Sequence, residues 1–407
     1  MTRAGAQPLG AGFGRLFGAN LSSSLADGIA RVAAPLLAVR LTDDPLLIAG
    51  VAAVGMIPWL LFAILSGMVI DRLDRRVVMA LASGIRTALA VLLFVLVATG
   101  ALTIWWLYVI LFVYGIGETL YDGAIRAVIP SLVPRADLHR ANGRIEASEQ
   151  VVQNFAAAPL TSLLFGFSAL IPLGINGAAF ALALGLALAL PLAAAGRVTG
   201  APITQETFRV QFAAGLKFLL GSRMLMTLWG VSTFFAFFFS AGTAIVPLYA
   251  IDTLGLPEEL FGVMLLLQAV GAILGSLVVG RLKSAIGTGW TIGLSCVFTP
   301  SPLLLAGLVP ELWAFAVALF LSSASMTLWN VLVVSLRQAA IPTRLLGRVH
   351  GTWRTVHWGA IPLGSLVGGL LGRIDVLLPF LVGGGVGVVA GLALLPVLRK
   401  LPEPEEL

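Results

Sequence analysis

Charge is scarce in this chain. Only 11% of its 407 residues are Asp, Glu, Lys or Arg, where soluble domains carry about 25%. With 59% hydrophobic residues and a mean hydropathy of +1.01, the polar residues cannot cover a water-soluble fold, so lipid must act as the solvent. The single cysteine, Cys296, lies inside an apolar run and excludes an internal disulfide or a cysteine-rich metal site. Three scattered histidines complete no metal-ligand cluster, so neither metal nor other cofactor is expected. No G-x-x-x-x-G-K-[ST] stretch is present to cradle a nucleotide phosphate, which excludes direct drive by ATP. A nucleophile elbow is also missing, and no enzyme is expected. Arg3 is followed by no short apolar core with a cleavage site, so a removed signal peptide is not expected.

What the chain has in abundance is long apolar segments. They cover 13–40, 46–70, 77–99, 104–129, 143–168 and 170–194, then 223–250, 258–281, 287–308, 310–338, 347–373 and 375–398. Each is long enough to cross a hydrocarbon core of about 30 Å. The chain therefore reads as an all-α membrane protein of twelve transmembrane helices. Its expected organisation is a six-helix bundle over 1–194, a linker over 195–222 and a second six-helix bundle over 223–407. Within the linker, Phe208, Phe212, Leu216 and Phe218 recur at helical intervals. This predicts an amphipathic helix on the inner leaflet, the alternative being an unstructured connection. The tail Pro402–Glu406 reads as solvated.

The +6 net charge suggests nucleic acid until the charges are located. Nineteen of the 25 Lys and Arg residues fall in loops of one parity, two (Arg40 and Arg373) fall on the other side, and four lie within spans. By the positive-inside rule this places both termini in the cytoplasm. No nucleic-acid partner is expected, only lipid, protons and a small-molecule substrate, with the chain acting as a monomer in a bacterial inner membrane.

The turn between spans two and three concentrates these charges. Gly67, Asp71, Arg72, Arg75 and Arg76 stand in the order G-x-x-x-D-R-x-x-R-R. Asp71 is short enough to cap a helix or bond local amides. The turn resembles the signature of the major facilitator superfamily, whose two six-helix halves are pseudo-symmetric. In keeping with such a repeat, Gly275–Lys283 echoes the turn without its aspartate, and Gly347–Arg348 opens span eleven much as Gly143–Arg144 opens span five. The stretch Ile129–Gly143, with Pro130, Pro134, Arg135 and Asn142, resembles one exporter branch of that superfamily. That branch holds the enterobactin exporter, macrolide efflux proteins and Tap-type multidrug pumps. The resemblance implies proton-driven export by alternating access. Of the antiporter signature on span five, Ala158–Pro159 remains.

Polar residues inside spans need a reason, since each ionisable group costs roughly 2.5–3.5 kcal/mol or more at mid-bilayer. Span one carries Asn20, Asp27 and Arg31. The last two are four apart and can pair on one helical face, either as a structural ion pair or as a proton or substrate site. Span four carries Glu118 and Asp122, also four apart; joint ionisation is disfavoured, so one can hold a proton. Asp122 can instead bond Arg126, which leaves Glu118 as the favoured proton carrier. Glu146 and Glu149, near the cytoplasmic end of span five, are expected to meet Arg72, Arg75, Arg76 or Arg144 and form a gate. Asp71 is expected to latch the start of span eleven, around Leu346–Val349. In the second half, Phe234, Phe238, Gln268, Asn330, Arg354 and His357 are candidates for the substrate cavity, His357 being equally readable as a packing residue. The leading reading is an antiporter exporting small lipophilic or amphipathic compounds. The alternatives are a dedicated siderophore or metabolite exporter and, more distantly, a nutrient importer.

Overall fold

A computed structural model describes residues 9–195 and 208–406. Its helices in chain order are α1 (Ala11–Leu41), α2 (Pro45–Arg72), α3 (Arg75–Ala98), α4 (Ile104–Leu132), α5 (Leu138–Gln150), α6 (Ala158–Phe167) and α7 (Leu170–Leu188). They continue as α8 (Phe208–Gly221), α9 (Arg223–Thr243), α10 (Val246–Leu248), α11 (Glu258–Ile286), α12 (Thr288–Phe298), α13 (Ser301–Leu308), α14 (Leu312–Ala340), α15 (Thr343–Ile374) and α16 (Leu378–Leu398). Wider-pitch π segments at Val151–Ala157 and Tyr249–Thr253 join α5 to α6 and follow α10.

Nine helical segments among the described residues are long and apolar enough to cross a membrane. The other three expected spans are helical too: α1, α5–α6 and α15. They carry Asp27 and Arg31, Glu146 and Glu149, and Arg348, Arg354 and His357 respectively, residues a lipid-facing helix avoids. The all-α transmembrane fold anticipated from the apolar runs is thus present, and its polar spans are those with the candidate site residues.

The chain divides by contacts into two units, Met1–Ala34 with Ile57–Pro202, and Pro35–Met56 with Ile203–Leu407. The connection between α1 and α2, with the adjoining end of each helix, therefore belongs to the second unit. The division falls at Pro35 inside α1 and beside Pro58 inside α2, where a missing amide hydrogen bond weakens the helix. In that second unit Arg373 donates to Asp44 at 2.7 and 2.5 Å, and Arg40 binds Glu258 through contacts of 3.1, 3.0 and 2.5 Å.

The first unit packs Leu16, Ile70, Met79, Tyr121, Ile125 and Ile129 into its main core. The second unit is built on close backbone seams. A Cβ placed on Gly271 or Gly275 would run into the carbonyls of Phe320 and Ala324 on α14, and one on Gly364 or Gly368 into those of Phe237 and Ala241 on α9. Only glycine allows such an approach.

Two expectations outside the spans change. The helix in the linker forms, but it is seated on α15, where Thr352 donates to the Phe212 carbonyl at 3.3 Å. It is thereby part of the second unit's packing and does not simply lie on a leaflet. The tail is not merely solvated either. Glu403 accepts from the Thr288 amide at 2.8 Å and its hydroxyl at 2.5 Å, capping α12, while Lys283 donates to Glu405 at 2.7 Å. A helix N-terminus leaves free amides that a carboxylate satisfies well.

Candidate functional site in the first unit

An arginine within an apolar helix must find an anion or leave the bilayer. Arg86 of α3 is fully buried, and its Nη1 donates to Asp27 Oδ1 on α1 at 3.1 Å. Tyr114 of α4 donates to the same oxygen at 2.6 Å, and Ser23 of α1 donates to Oδ2 at 3.2 Å. Asp27, only 5% exposed, thus gathers three donors. The Arg86 guanidinium lies 4.6 Å from the Tyr121 ring and 4.7 Å from the Phe180 ring. Its Nε and Nη2 have no hydrogen-bond partner among the described residues. Aromatic faces take the place of acceptors there, a favourable use of ring quadrupoles in a dry interior. Asn176 of α7 ties the ring of helices together by donating to the Ala26 carbonyl at 2.6 Å.

One turn further along α1, Arg31 reaches Glu118 of α4, Nη2 to Oε1, at 3.5 Å. The other carboxyl oxygen accepts from Trp59 of α2 at 3.3 Å. This second pair is looser and wetter, with the Arg31 side chain 58% exposed and that of Glu118 15%. Asp27 and Arg31, placed to pair along one helix, therefore partner across helices instead, Asp27 with α3 and Arg31 with α4. Glu118 has a cation that span four alone did not offer. Asp122 is half-buried and Arg126 exposed, and no hydrogen bond joins them among the described residues.

The arginine-rich turn is organised locally. Asp74 caps α3 by accepting from the Arg76 amide at 2.9 Å and pairs with the Arg76 guanidinium at 2.8 Å. Arg75 donates to the Ala127 carbonyl near the end of α4 at 2.7 Å, and Arg76 to that of Leu190 at 3.2 Å. Arg72 is exposed and Gly67 half-buried. The expected ion pairs to Glu146 and Glu149 are not formed among the described residues; Arg75 and Arg76 reach nearer acceptors, with the buried Nε of Arg75 left without one. The side chain of Asp71 lies outside the described residues. Outside the spans, hydrogen bonding from Arg76 holds the Asp74 carboxyl below its usual range.

The remaining candidates divide between the units. Asn20 is buried in the first, and Pro159 opens α6 directly after the π segment. In the second, the Phe234 and Phe238 rings meet at a tilt of 46° with centroids 4.6 Å apart, and Arg354 lies 3.8 Å over Trp358. Gln268 and Asn330 are exposed, while His357 is half-buried. The residue missed from sequence was Arg86, counted among the span cations but given no role.

A family model described as a transmembrane secretion effector matches residues 6–407. Macrolide efflux protein A of Streptococcus pyogenes is 23% identical over 367 residues, covering 88% of this chain and 90% of that protein. An MFS-type transporter of Bacillus subtilis, YfiS, is 27% identical over 387 residues, covering 94% and 91%. Among solved structures, a bacterial homologue of the iron transporter ferroportin in an inward-facing state superposes with a TM-score of 0.77 at 17% identity, covering 97% of this chain and all of that one. The nucleoside transporter NupG gives the same TM-score at 16% identity, covering 97% and 100%.

Proposed function

The chain belongs to the transmembrane secretion effectors of the major facilitator superfamily, and from that premise we propose that it is a proton-driven exporter of small lipophilic or amphipathic compounds. It acts by alternating access in a bacterial inner membrane, with both termini cytoplasmic as the distribution of arginine and lysine requires. Relatives named for macrolide efflux support a bulky amphipathic cargo.

The observation that carries this reading is the inequality of the two carboxylates inside the first unit. Asp27 is held by a buried guanidinium and two hydroxyls. Three donors hold that carboxylate in place as an anchor between α1, α3 and α4. Glu118 has one long contact to an exposed arginine and one indole, so it is the group that exchanges a proton. Protonation of Glu118 frees Arg31; deprotonation draws Arg31 and Trp59 back. A proton from outside thereby changes how α1, α2 and α4 are tied together, and export follows when that change alternates with substrate release. Asp122 stands one turn along α4 as a relay towards the cytoplasm. Asp71, Arg72, Arg75 and Arg76, with Arg126, Glu146 and Glu149, form the cytoplasmic gate. Within the second unit, Phe234, Phe238, Gln268, Asn330, Arg354 and His357 contact the substrate.

The test is uphill efflux from proteoliposomes under an imposed pH gradient, with a macrolide as first substrate. Glu118→Gln should abolish accumulation against the gradient while leaving binding and downhill equilibration. A well-folded Glu118→Gln protein that still pumps uphill refutes the assignment.

A further inference from the structure

In the first unit Arg76 pairs with Asp74 and Arg140 with Asp137, while Arg15 and Arg75 each donate to a backbone carbonyl. Between Glu311 and Asp375 the second unit has no carboxylate in sequence, and Arg373 there reaches Asp44 outside that stretch. At the junction of α14 and α15 lies a pocket of about 350 Å³. Arg337, Gln338 and His350 supply its polar lining, and Val334, Ile341, Leu346 and Trp353 are among its apolar walls. The Arg337 guanidinium stacks 4.5 Å from the Trp353 ring, and it makes no hydrogen bond or ion pair among the described residues.

We infer that this pocket binds the phosphate of an anionic phospholipid from the inner leaflet. The leaflet rests on the topology proposed above; the site itself does not. Three features argue for a lipid in preference to a free anion. A guanidinium braced on an indole face is pre-oriented to meet phosphate oxygens. The walls are apolar, so an inorganic phosphate would lose its water there for a single cation, whereas glycerol and the first acyl carbons cover those walls. Val331, one turn deeper on α14 and 39% exposed, continues the apolar track away from the pocket. Basic pockets at this depth attract anionic headgroups.

The experiment uses the purified full chain and native mass spectrometry with phosphatidylglycerol, phosphatidylcholine or inorganic phosphate. Phosphatidylglycerol should remain bound, and Arg337→Gln should weaken it about tenfold, as loss of one charge-assisted contact implies. A second variant avoids the packed core. A side chain added at Gly347, which lines the pocket, meets nothing within 4 Å of its Cβ, so Gly347→Leu should displace the lipid and leave the fold intact. Equal retention of phosphatidylcholine, unchanged binding in both variants, or competition by millimolar phosphate would each overturn the lipid assignment. Labelling of Gly347→Cys in right-side-out and inverted vesicles tests the leaflet separately. Failure of the topology is thereby distinguished from failure of the site.

Discussion

Arg86→Gln removes the cation at the centre of the first unit and leaves Asp27 buried without its counter-ion. Breaking a buried ion pair from one side costs about 3–5 kcal/mol. The lower end applies here, because Tyr114 and Ser23 still donate to Asp27 at 2.6 and 3.2 Å. Loss of the contacts to the Tyr121 and Phe180 rings adds a smaller penalty, about 0.5–2 kcal/mol each for desolvated cation–π pairs. A destabilisation of about 4 kcal/mol is expected. Combining Arg86→Gln with Asp27→Asn removes both charges, and the amide that replaces the carboxylate keeps a carbonyl oxygen to accept from Tyr114. Most of the lost stability should return, since neutral replacements of a buried pair are often tolerated. Reversible unfolding in mixed micelles measures both variants, and with Asp27→Asn alone they complete the cycle that gives the coupling energy of the pair. A double variant as unstable as Arg86→Gln would refute the reasoning, as would an Arg86→Gln protein within about 1 kcal/mol of wild type. The same double variant also sorts the carboxylates: with Glu118 as carrier it still pumps uphill once folded.

Asp27→Asn alone should impair transport by stranding Arg86, and Asp27→Glu should restore part of it; unchanged flux in Asp27→Asn would remove the ion pair from the mechanism. Glu403→Gln should weaken the cap on α12 by about 1 kcal/mol at pH 7, read from the unfolding of the purified protein. The amide and then the hydroxyl of Thr288 hold the Glu403 carboxyl below its usual range. Its contribution is therefore complete above the unfolded pKa, near 4.3, and is lost as pH falls through the folded value. Wild type and variant should converge in acid, and a difference that persists there would exclude the charged cap.

The helices were legible because apolar length and arginine placement are local signals. Even the three polar spans kept their places, with α15 ending at Ile374 against an expected 373. The site was half legible. Asp27, Arg31 and Glu118 announced themselves as charges lipid should exclude, but their partners lie on other helices, and i,i+4 spacing along α1 suggested the wrong pair. A stronger signal went unused: Arg86 has no acid within reach on its own span, so a partner had to come from elsewhere. Glu403 was unreadable for a related reason, since the helix it caps starts 115 residues earlier.

The glycine seams have a mechanical meaning. Helices that touch carbonyl to Cα, as α11 meets α14 and α9 meets α15, have no clearance to slide by a residue or to roll. Within each pair the stiffness is that of a welded plate. Compliance is left to the places where the α-helical ladder is interrupted, at Pro35, Pro58, Pro130, Pro362 and Pro396 and at the π segments Val151–Ala157 and Tyr249–Thr253. Strain imposed on the membrane-spanning helices should collect at those points. A spacer as small as one methyl group at Gly275 or Gly368 would jam a plate, while Pro35→Ala would splint a joint.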